Sequence, residues 1–309
     1  MGNDAPPGTS RANPGPAVTL VIPVHQGRTT HVCDLLATIL AARPSRWNPR
    51  EVILCTRDLP DLLATVTAAL PSFPIPLRLV WCEEAPTLAS IRNAGLRAVR
   101  TEWILAVDSD ILLPADYFTS LEAEIDRVSP AADGYQMSFE PTPGASCCAR
   151  YEAALDQMVL SRYIREDGVA GIAGGTFLAR VETLLRHGGF REDMRCAEDV
   201  ELGYRLFKAG VRIVYLPAVR VFHRYPNGIG DLLRRKIWHG SGYAMKAQYF
   251  PDLFRLLPPE RRSGWRRLRA YSNPGFAIYV LVSMCAFQLG VLRERRRRRA
   301  IAAAGPRAS

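Results

Sequence analysis

Asp108 and Asp110, on either side of Ser109 at the end of the apolar run Trp103–Val107, place two carboxylates at the C-terminal edge of a predicted strand. Residues i and i+2 of an extended chain face the same way, so both carboxylates can converge on one Mg²⁺ or Mn²⁺, cations that prefer oxygen ligands. Asp is also a common turn residue, so an Asp-x-Asp taken alone reads first as a solvated turn that caps the strand. Further groups with chemical capacity follow. Glu198-Asp199 opens a segment whose packing residues Val200, Leu206 and Phe207 and trailing Gly210 predict a helix with an acidic first turn. Gly174-Gly175 removes side chains where backbone can approach a ligand, or where it simply turns. His223 ends an apolar strand pattern and is a metal-ligand candidate only if the fold brings it beside Asp110.

The elements that must position these groups alternate in period. Val18–Val24 predicts a buried strand, followed by a loop at His25-Gln26-Gly27-Arg28. Val32, Leu35, Leu36, Ile39 and Leu40 follow helical spacing, and that helix must end before Pro44. Glu51–Cys55 and Leu77–Trp81 predict strands, and Thr87–Val99 a helix with Thr87 as its cap. Beyond residue 113 the pattern loosens, until two short strands are predicted at Val211–Leu216 and Val219–Phe222. Strands alternating with helices imply right-handed βαβ units and a mainly parallel sheet, with ligands outside the strands' carboxyl ends.

The chain of 309 residues, 48% hydrophobic and 23% charged, suits one large α/β domain with an appendage. Residues 1–16 are polar and rich in Pro and Gly, which predicts a disordered head without a secretion signal. Seven scattered cysteines form no CxxC pair, so neither a zinc site nor a disulfide framework is indicated, and a reducing cytoplasm fits. Cys147-Cys148 reads as small packing residues. The net charge of +10 is concentrated towards the C-terminus. Arg255, Arg261, Arg262, Arg266, Arg267 and Arg269 precede an apolar segment at 275–292, and Arg293 with Arg295–Arg299 follow it. Arginines alone would suit nucleic acid, but not the continuously apolar segment between them, so a membrane surface is the expected partner. Spanning, lying in the interface and packing on the core all remain open for this segment. Its length of about 27 Å as a helix is marginal against a hydrocarbon core of roughly 30 Å.

Taken in order, Val18–Val24, Ile91-Arg92-Asn93-Ala94-Gly95, Asp108-Ser109-Asp110, Gly174-Gly175-Thr176-Phe177, Gly188-Gly189-Phe190, Glu198–Leu206, Leu216-Pro217 and Phe222-His223 resemble family 2 glycosyltransferases of the GT-A fold. The resemblance covers about residues 17–245, leaving a helical region at 246–292 and an Arg-rich tail at 293–309. Leu233–Gly240 is similar to the basic-aromatic segment of non-processive members, and the Gln-x-x-Arg-Trp of processive synthases is missing. The resemblance implies a mainly parallel mixed sheet flanked by helices. It also implies transfer of a sugar, usually with inversion, from a nucleotide-diphosphate donor to an acceptor hydroxyl, with Mn²⁺ or Mg²⁺ as cofactor. On this basis Asp110, with His223, would hold the metal, while Pro23, Asp58, Arg92 and Asp108 would contact the donor. Asp199 would be the catalytic base, Glu198 would hold acceptor or base, and Gly174 and Gly175 would line the acceptor side. Family members commonly carry an Asp pair straight after the second strand. Here Thr56-Arg57 stands there with Asp58 displaced, and His25-Gln26 replaces the more usual Tyr-Asn, which leaves the nucleotide open. An inactive binding or scaffold protein and a nucleotidyltransferase are the alternatives, the latter weakened by the absence of a Gly-rich phosphate loop near Pro23. The tail would hold a cytoplasmic enzyme peripherally or by an anchor at the inner face of the cell membrane, beside a lipid-linked or cell-envelope glycan acceptor.

Overall fold

The computed structural model describes residues 15–128, 132–226, 228–252 and 274–303. Residues 1–14 of the expected head and the arginine cluster at 255–269 lie outside them.

The first half alternates strand and helix as its periodicity predicts: β1 (Val18–Pro23), α1 (Thr29–Ala41), β2 (Glu51–Thr56), α2 (Leu62–Ala69), β3 (Leu77–Trp81), α3 (Leu88–Ala98) and β4 (Trp103–Val107). Thr87 caps α3 by accepting the Ser90 N–H at 3.2 Å. There follow β5 (Ile111–Leu112), α4 (Tyr117–Val128), β6 (Gly134–Pro141), α5 (Cys147–Leu160), a small β7–β8 pair (Ile164–Arg165 and Gly168–Val169), β9 (Thr176–Arg180), α6 (Val181–Arg186), α7 (Glu198–Lys208), β10 (Ile213–His223), α8 (Ile229–Tyr249) and α9 (Pro274–Ala303).

The eight-stranded sheet runs β3-β2-β1-β4-β9-β6-β10-β5. β2 pairs in parallel with β1 and β3, as do β1 with β4 and β6 with β10, whereas β9 is antiparallel to both β4 and β6, and β5 to β10. All strands but β9 and β5 therefore open their carboxyl ends on one edge, where β9 begins. This topology brings together residues at the ends of β1, β2, β4 and β10 and those just before β9.

Alternate residues of the strands feed two cores. Leu20, Ile22, Leu54 and Leu105 pack with Leu35, Leu36 and Phe118 on one face, and Val21, Ile53 and Ile104 with Ile91, Leu96, Leu202 and Leu206 on the other. Burial on both faces explains the unbroken apolar runs. α3 presses so closely on the sheet that a Cβ at Gly95 would stand 2.5 Å from Val21 Cγ1 and 2.6 Å from Cys55 Sγ.

Two expectations change. The two short strands at 211–222 are one, β10, whose register with β6 shifts between Leu216 and Arg220. Pro217 lies in that shift and has no N–H for the ladder, so the pattern breaks while the strand continues. Cys147 is exposed, whereas half-buried Cys148 packs against the cluster of Leu232, Phe276 and Tyr279, so only the second of the pair is a packing residue.

The tail forms a 30-residue helix, α9, in which Pro274–Ala300 is long and apolar enough to cross a membrane. It packs along α8. A Cβ at Gly240 would lie 2.0 Å from the Phe287 carbonyl oxygen, and one at Gly290 2.0 Å from that of Ile237, so the two backbones nearly touch.

Candidate active site

Asp108 and Asp110 sit in the turn that leaves β4. The Asp108 N–H donates to the Gly175 carbonyl at 2.9 Å, and the Arg224 N–H donates to the Asp110 carbonyl at 2.9 Å. This second bond pins the turn to the end of β10 and brings His223 to the pair. Its Nε2 lies 3.6 Å from Asp110 Oδ1. The His223 ring is buried against Tyr225 and Phe139, and its Nδ1 has no hydrogen-bond partner among the described residues. On the other side, Arg28, from the loop after β1, places Nη1 3.7 Å from Asp110 Oδ2 and 2.7 Å from His31 Nδ1.

The two carboxylates are electrostatically unlike. Burial would raise Asp110, but His223, Arg28 and Arg235 outweigh it and hold the group below the usual carboxylate range. Burial and the neighbouring Asp110 push Asp108 up despite Arg92. Burial lowers His223 against the pull of Asp110.

Arg92 joins this cluster to a second one. It projects from α3 with 6% exposure, bonds Glu198 through Nη1, and donates through Nη2 to Asp108 Oδ1 at 2.7 Å and to the Gly174 carbonyl at 3.5 Å. Its planar fork suits two carboxylates at once, with the Phe190 ring 5.5 Å beneath. Burial pushes Glu198 up to about 7, against the pull of Arg92 and with Asp199 adding to the rise. Asp199 is half-buried and aligned by backbone: Oδ2 accepts the Gly174 N–H at 2.7 Å and Oδ1 its neighbour Val200's at 2.8 Å. Ala197, the residue before α7, adopts φ +63° and is the one non-glycine residue with positive φ among the described residues. This conformation delivers Glu198 and Asp199 at the start of α7.

The glycines answer to crowding. A Cβ at Gly174 would stand 2.9 Å from Arg92 Nη2 and 3.0 Å from Asp199 Cβ, and one at Gly175 2.7 Å from the Phe139 ring. Asn93 explains two further motifs, since its side chain donates to the Phe190 carbonyl at 2.7 Å and accepts the Phe190 N–H at 2.8 Å. It thereby docks Gly188-Gly189-Phe190 on α3. On the same sheet edge Pro23 closes β1 opposite Cys55, and Asp58 follows β2, its N–H on Thr56 Oγ1 at 3.2 Å and its carboxylate 3.3 Å from Arg57 Nε.

Sequence reasoning missed Arg28 and the surroundings of Arg235. Arg235, on α8, donates to Glu152 at 3.0 Å and Asp156 at 2.8 Å, and its guanidinium lies 5.3 Å from the Tyr225 ring centre. Lys236 Nζ is 2.6 Å from Glu152, which also accepts the Tyr279 hydroxyl of α9. The basic-aromatic Leu233–Gly240 stretch was the available signal. Ligand atoms of Glu152, Asp156 and His239 lie within 4.8 Å of one another. Because Arg235 and Lys236 already neutralise those carboxylates, we read the group as an ion-pair hub joining α5, α8 and α9.

This mixed sheet, with paired aspartates at its carboxyl edge and a Glu-Asp helix start facing them, has the GT-A architecture of glycosyltransferases. The chain belongs to glycosyl transferase family 2: that family's model matches residues 19–182, and the model of glycosyl transferase family group 2 matches residues 103–301. It is similar to the pre-mycofactocin glycosyltransferases of two Mycobacterium tuberculosis strains, CDC 1551 / Oshkosh and H37Rv, with 29% identity over 168 residues. The match covers 53% of this chain and 36% of each relative, so the chain spans about a third of their length. The fold resembles the mannosyltransferase PcManGT of Pyrobaculum calidifontis in complex with GDP-Man and Mn²⁺ (TM-score 0.60, 18% identity, 94% of this chain and 76% of that one). It also resembles residues 1–349 of S. aureus TarS (TM-score 0.54, 15%, 89% and 81%) and GalNAc-T7 with UDP, GalNAc and Mn²⁺ (0.53, 14%, 83% and 54%).

Proposed function

We propose that this protein transfers one or a few sugars, with inversion, from a nucleotide-diphosphate sugar to an acceptor hydroxyl, with a divalent cation as cofactor. The observation that carries the proposal is the convergence of Asp110–His223 and Gly174-anchored Asp199 on one sheet edge, joined through Asp108 and Arg92. Two structures of like fold hold nucleotide or nucleotide-sugar with Mn²⁺, which supports the donor class and the cation.

The residues fit such a cation: Asp110 is held below the usual carboxylate range, and His223 Nε2 stands 3.6 Å from it while the ring's Nδ1 has no partner among the described residues. Bound by Asp110 and His223, Mn²⁺ or Mg²⁺ would neutralise the charge that gathers on the departing diphosphate. Asp108, with Asp58 and Pro23 along the same edge, binds the donor. Asp199 accepts the acceptor's proton, as the less buried member of its pair. Arg92, expected on the donor, is taken up by Asp108 and Glu198, and Glu198, expected to hold acceptor or base, by Arg92; we assign both to holding Asp108 and the start of α7 in place, with Gly174 and Gly175 keeping the acceptor side close-packed. Residues 17–245 make up the transferase domain, preceded by a head and followed by the helical and Arg-rich appendage. The enzyme works in the cytoplasm, held at the inner membrane face by that appendage, which suits a lipid-linked or cell-envelope glycan acceptor.

A screen of nucleotide sugars by thermal shift and donor hydrolysis, with and without Mn²⁺ or Mg²⁺, tests the reading. A true donor at about 100 times its Kd stabilises by roughly 2.7 kcal/mol. Stabilisation by no nucleotide sugar, with no hydrolysis, would refute it.

A further inference from the structure

Helix α9 has two unlike faces. One is packed: Phe276, Tyr279, Ser283 and Glu294 are buried, Tyr279 bonds Glu152, and Glu294 is shared by Arg195, Arg297 and Arg298. The other is bare, with Ile278 64%, Leu281 62%, Met284 56%, Leu289 41% and Leu292 50% exposed. At 3.6 residues per turn these five lie within an arc of about 140°, opposite the packed face. Arg295, Arg296 and Arg299 continue the same arc, exposed and without an ion pair among the described residues.

We propose that α9 is an in-plane anchor for an anionic membrane. Its Ile278–Leu292 face enters the boundary between headgroups and acyl chains, Arg295, Arg296 and Arg299 sit on lipid phosphates, and the catalytic domain stays docked on the opposite face. This deepens the reading of the tail as a membrane attachment and rests on it. Charge complementarity selects the occupant: apolar residues over three unpaired arginines match an acyl layer beneath phosphates. A second copy packed α9 against α9 would offer the arginines no acidic partner, because Glu294, the one carboxylate of α9, is already taken. Crossing the bilayer fits worse. The bare stripe runs only about 21 Å, short of a hydrocarbon core of roughly 30 Å. Spanning would also strip α9 from α8 and expose Glu294 and Ser283 to lipid.

The test is vesicle flotation of the full chain. Vesicles of phosphatidylcholine alone are compared with vesicles that also contain phosphatidylglycerol, at low and high salt. We expect a roughly hundredfold preference for the anionic vesicles, lost at high salt, in Arg295→Glu/Arg296→Glu/Arg299→Glu and in Leu281→Glu/Met284→Glu. Both variants should hydrolyse donor in solution as the wild type does. A fluorophore on exposed Cys285, in a Cys147→Ser background, should be quenched by nitroxide near the headgroups and not at the bilayer centre. Equal binding to both vesicle types, quenching at the centre, or a dimer that forms through the bare face and excludes vesicles would each overturn the anchor. Donor hydrolysis in the same samples separates the two readings: binding lost with hydrolysis intact refutes the anchor alone, and hydrolysis absent with binding intact refutes the transferase.

Discussion

Arg92 is the side chain on which the site's electrostatics turn, since it ties a carboxylate of the Asp pair to a carboxylate of α7. With Arg92 holding Asp108 and Glu198, the proposed roles of metal ligand and base fall to Asp110 and Asp199. Asp110→Asn should weaken donor binding about tenfold or more and abolish its dependence on divalent cation. Titration of nucleotide sugar with Mn²⁺ and with EDTA measures this, and equal affinity in the two would refute the metal assignment. Asp199→Asn should leave donor affinity within a few-fold while transfer falls by roughly 10² or more. If transfer stays near the wild-type rate, the base lies elsewhere. Glu198 makes a different prediction. Its folded pKa of about 7 lies above its ordinary value of 4.5, so the folded state keeps a proton that the unfolded state loses. Its contribution to stability is therefore complete below the ordinary value and is lost as pH rises through about 7. Glu198→Gln removes this titration, so the variant's melting temperature should gain on the wild type's as pH rises from 5 to 7.5. A gap that does not change with pH would mean that Glu198 is ionised throughout. The acidic residues and His223 were readable in the chain because each ends a strand or begins a helix. Arg28 and Arg235 were not, because only the fold determines which carboxylate an arginine finds.

Among the secondary structures, what could be read follows from burial. Strands β1, β2 and β4 lie between two cores and are apolar over most of their length, so their sequences announce them. β6 contains buried Gln136, whose amide donates to the Thr176 carbonyl at 2.9 Å and accepts the Ala173 N–H at 2.9 Å. A polar residue satisfied from other segments hides the strand's period, and the chain past residue 113 loosened for this kind of reason. The α8–α9 crossing was likewise invisible, since glycines inside a helix ordinarily count against it. Here Gly240 and Gly290 let the backbones meet. Gly290→Val should push the helices apart and cost about 1–3 kcal/mol, the range for overpacking, because its Cβ would otherwise land 2.0 Å from the Ile237 carbonyl oxygen. Urea unfolding combined with limited proteolysis of α9 checks it, and an unchanged midpoint with α9 still protected would show that the crossing adapts freely.

For the molecule entire, the open question was what the apolar run at 275–292 does, and sequence could not answer it because a single stretch does not reveal which of its faces has a partner. Docking on α8 divides it into a packed face and a bare one. The packed face reaches the catalytic edge through a chain of contacts: the Tyr279 hydroxyl bonds Glu152, Glu152 holds Arg235, and the Arg235 charge helps keep Asp110 ionised. A chain shortened to residues 1–272 would lose the Tyr279 bond, the Phe276–Tyr151 ring contact at 4.8 Å and the Arg195–Glu294 pair at once. The last two are modest terms, but Glu152 is wholly buried, and stripping its cover changes the setting of two cations. The shortened chain should therefore melt at a lower temperature and bind donor more weakly than the full chain, with both effects present in detergent-free solution. Glu152→Gln in the full chain should reproduce the weaker donor binding while leaving vesicle attachment intact. If residues 1–272 instead match the full chain in melting temperature and donor affinity, α9 is a tether that the catalytic edge does not feel, and Arg235 is positioned by α5 and α8 alone.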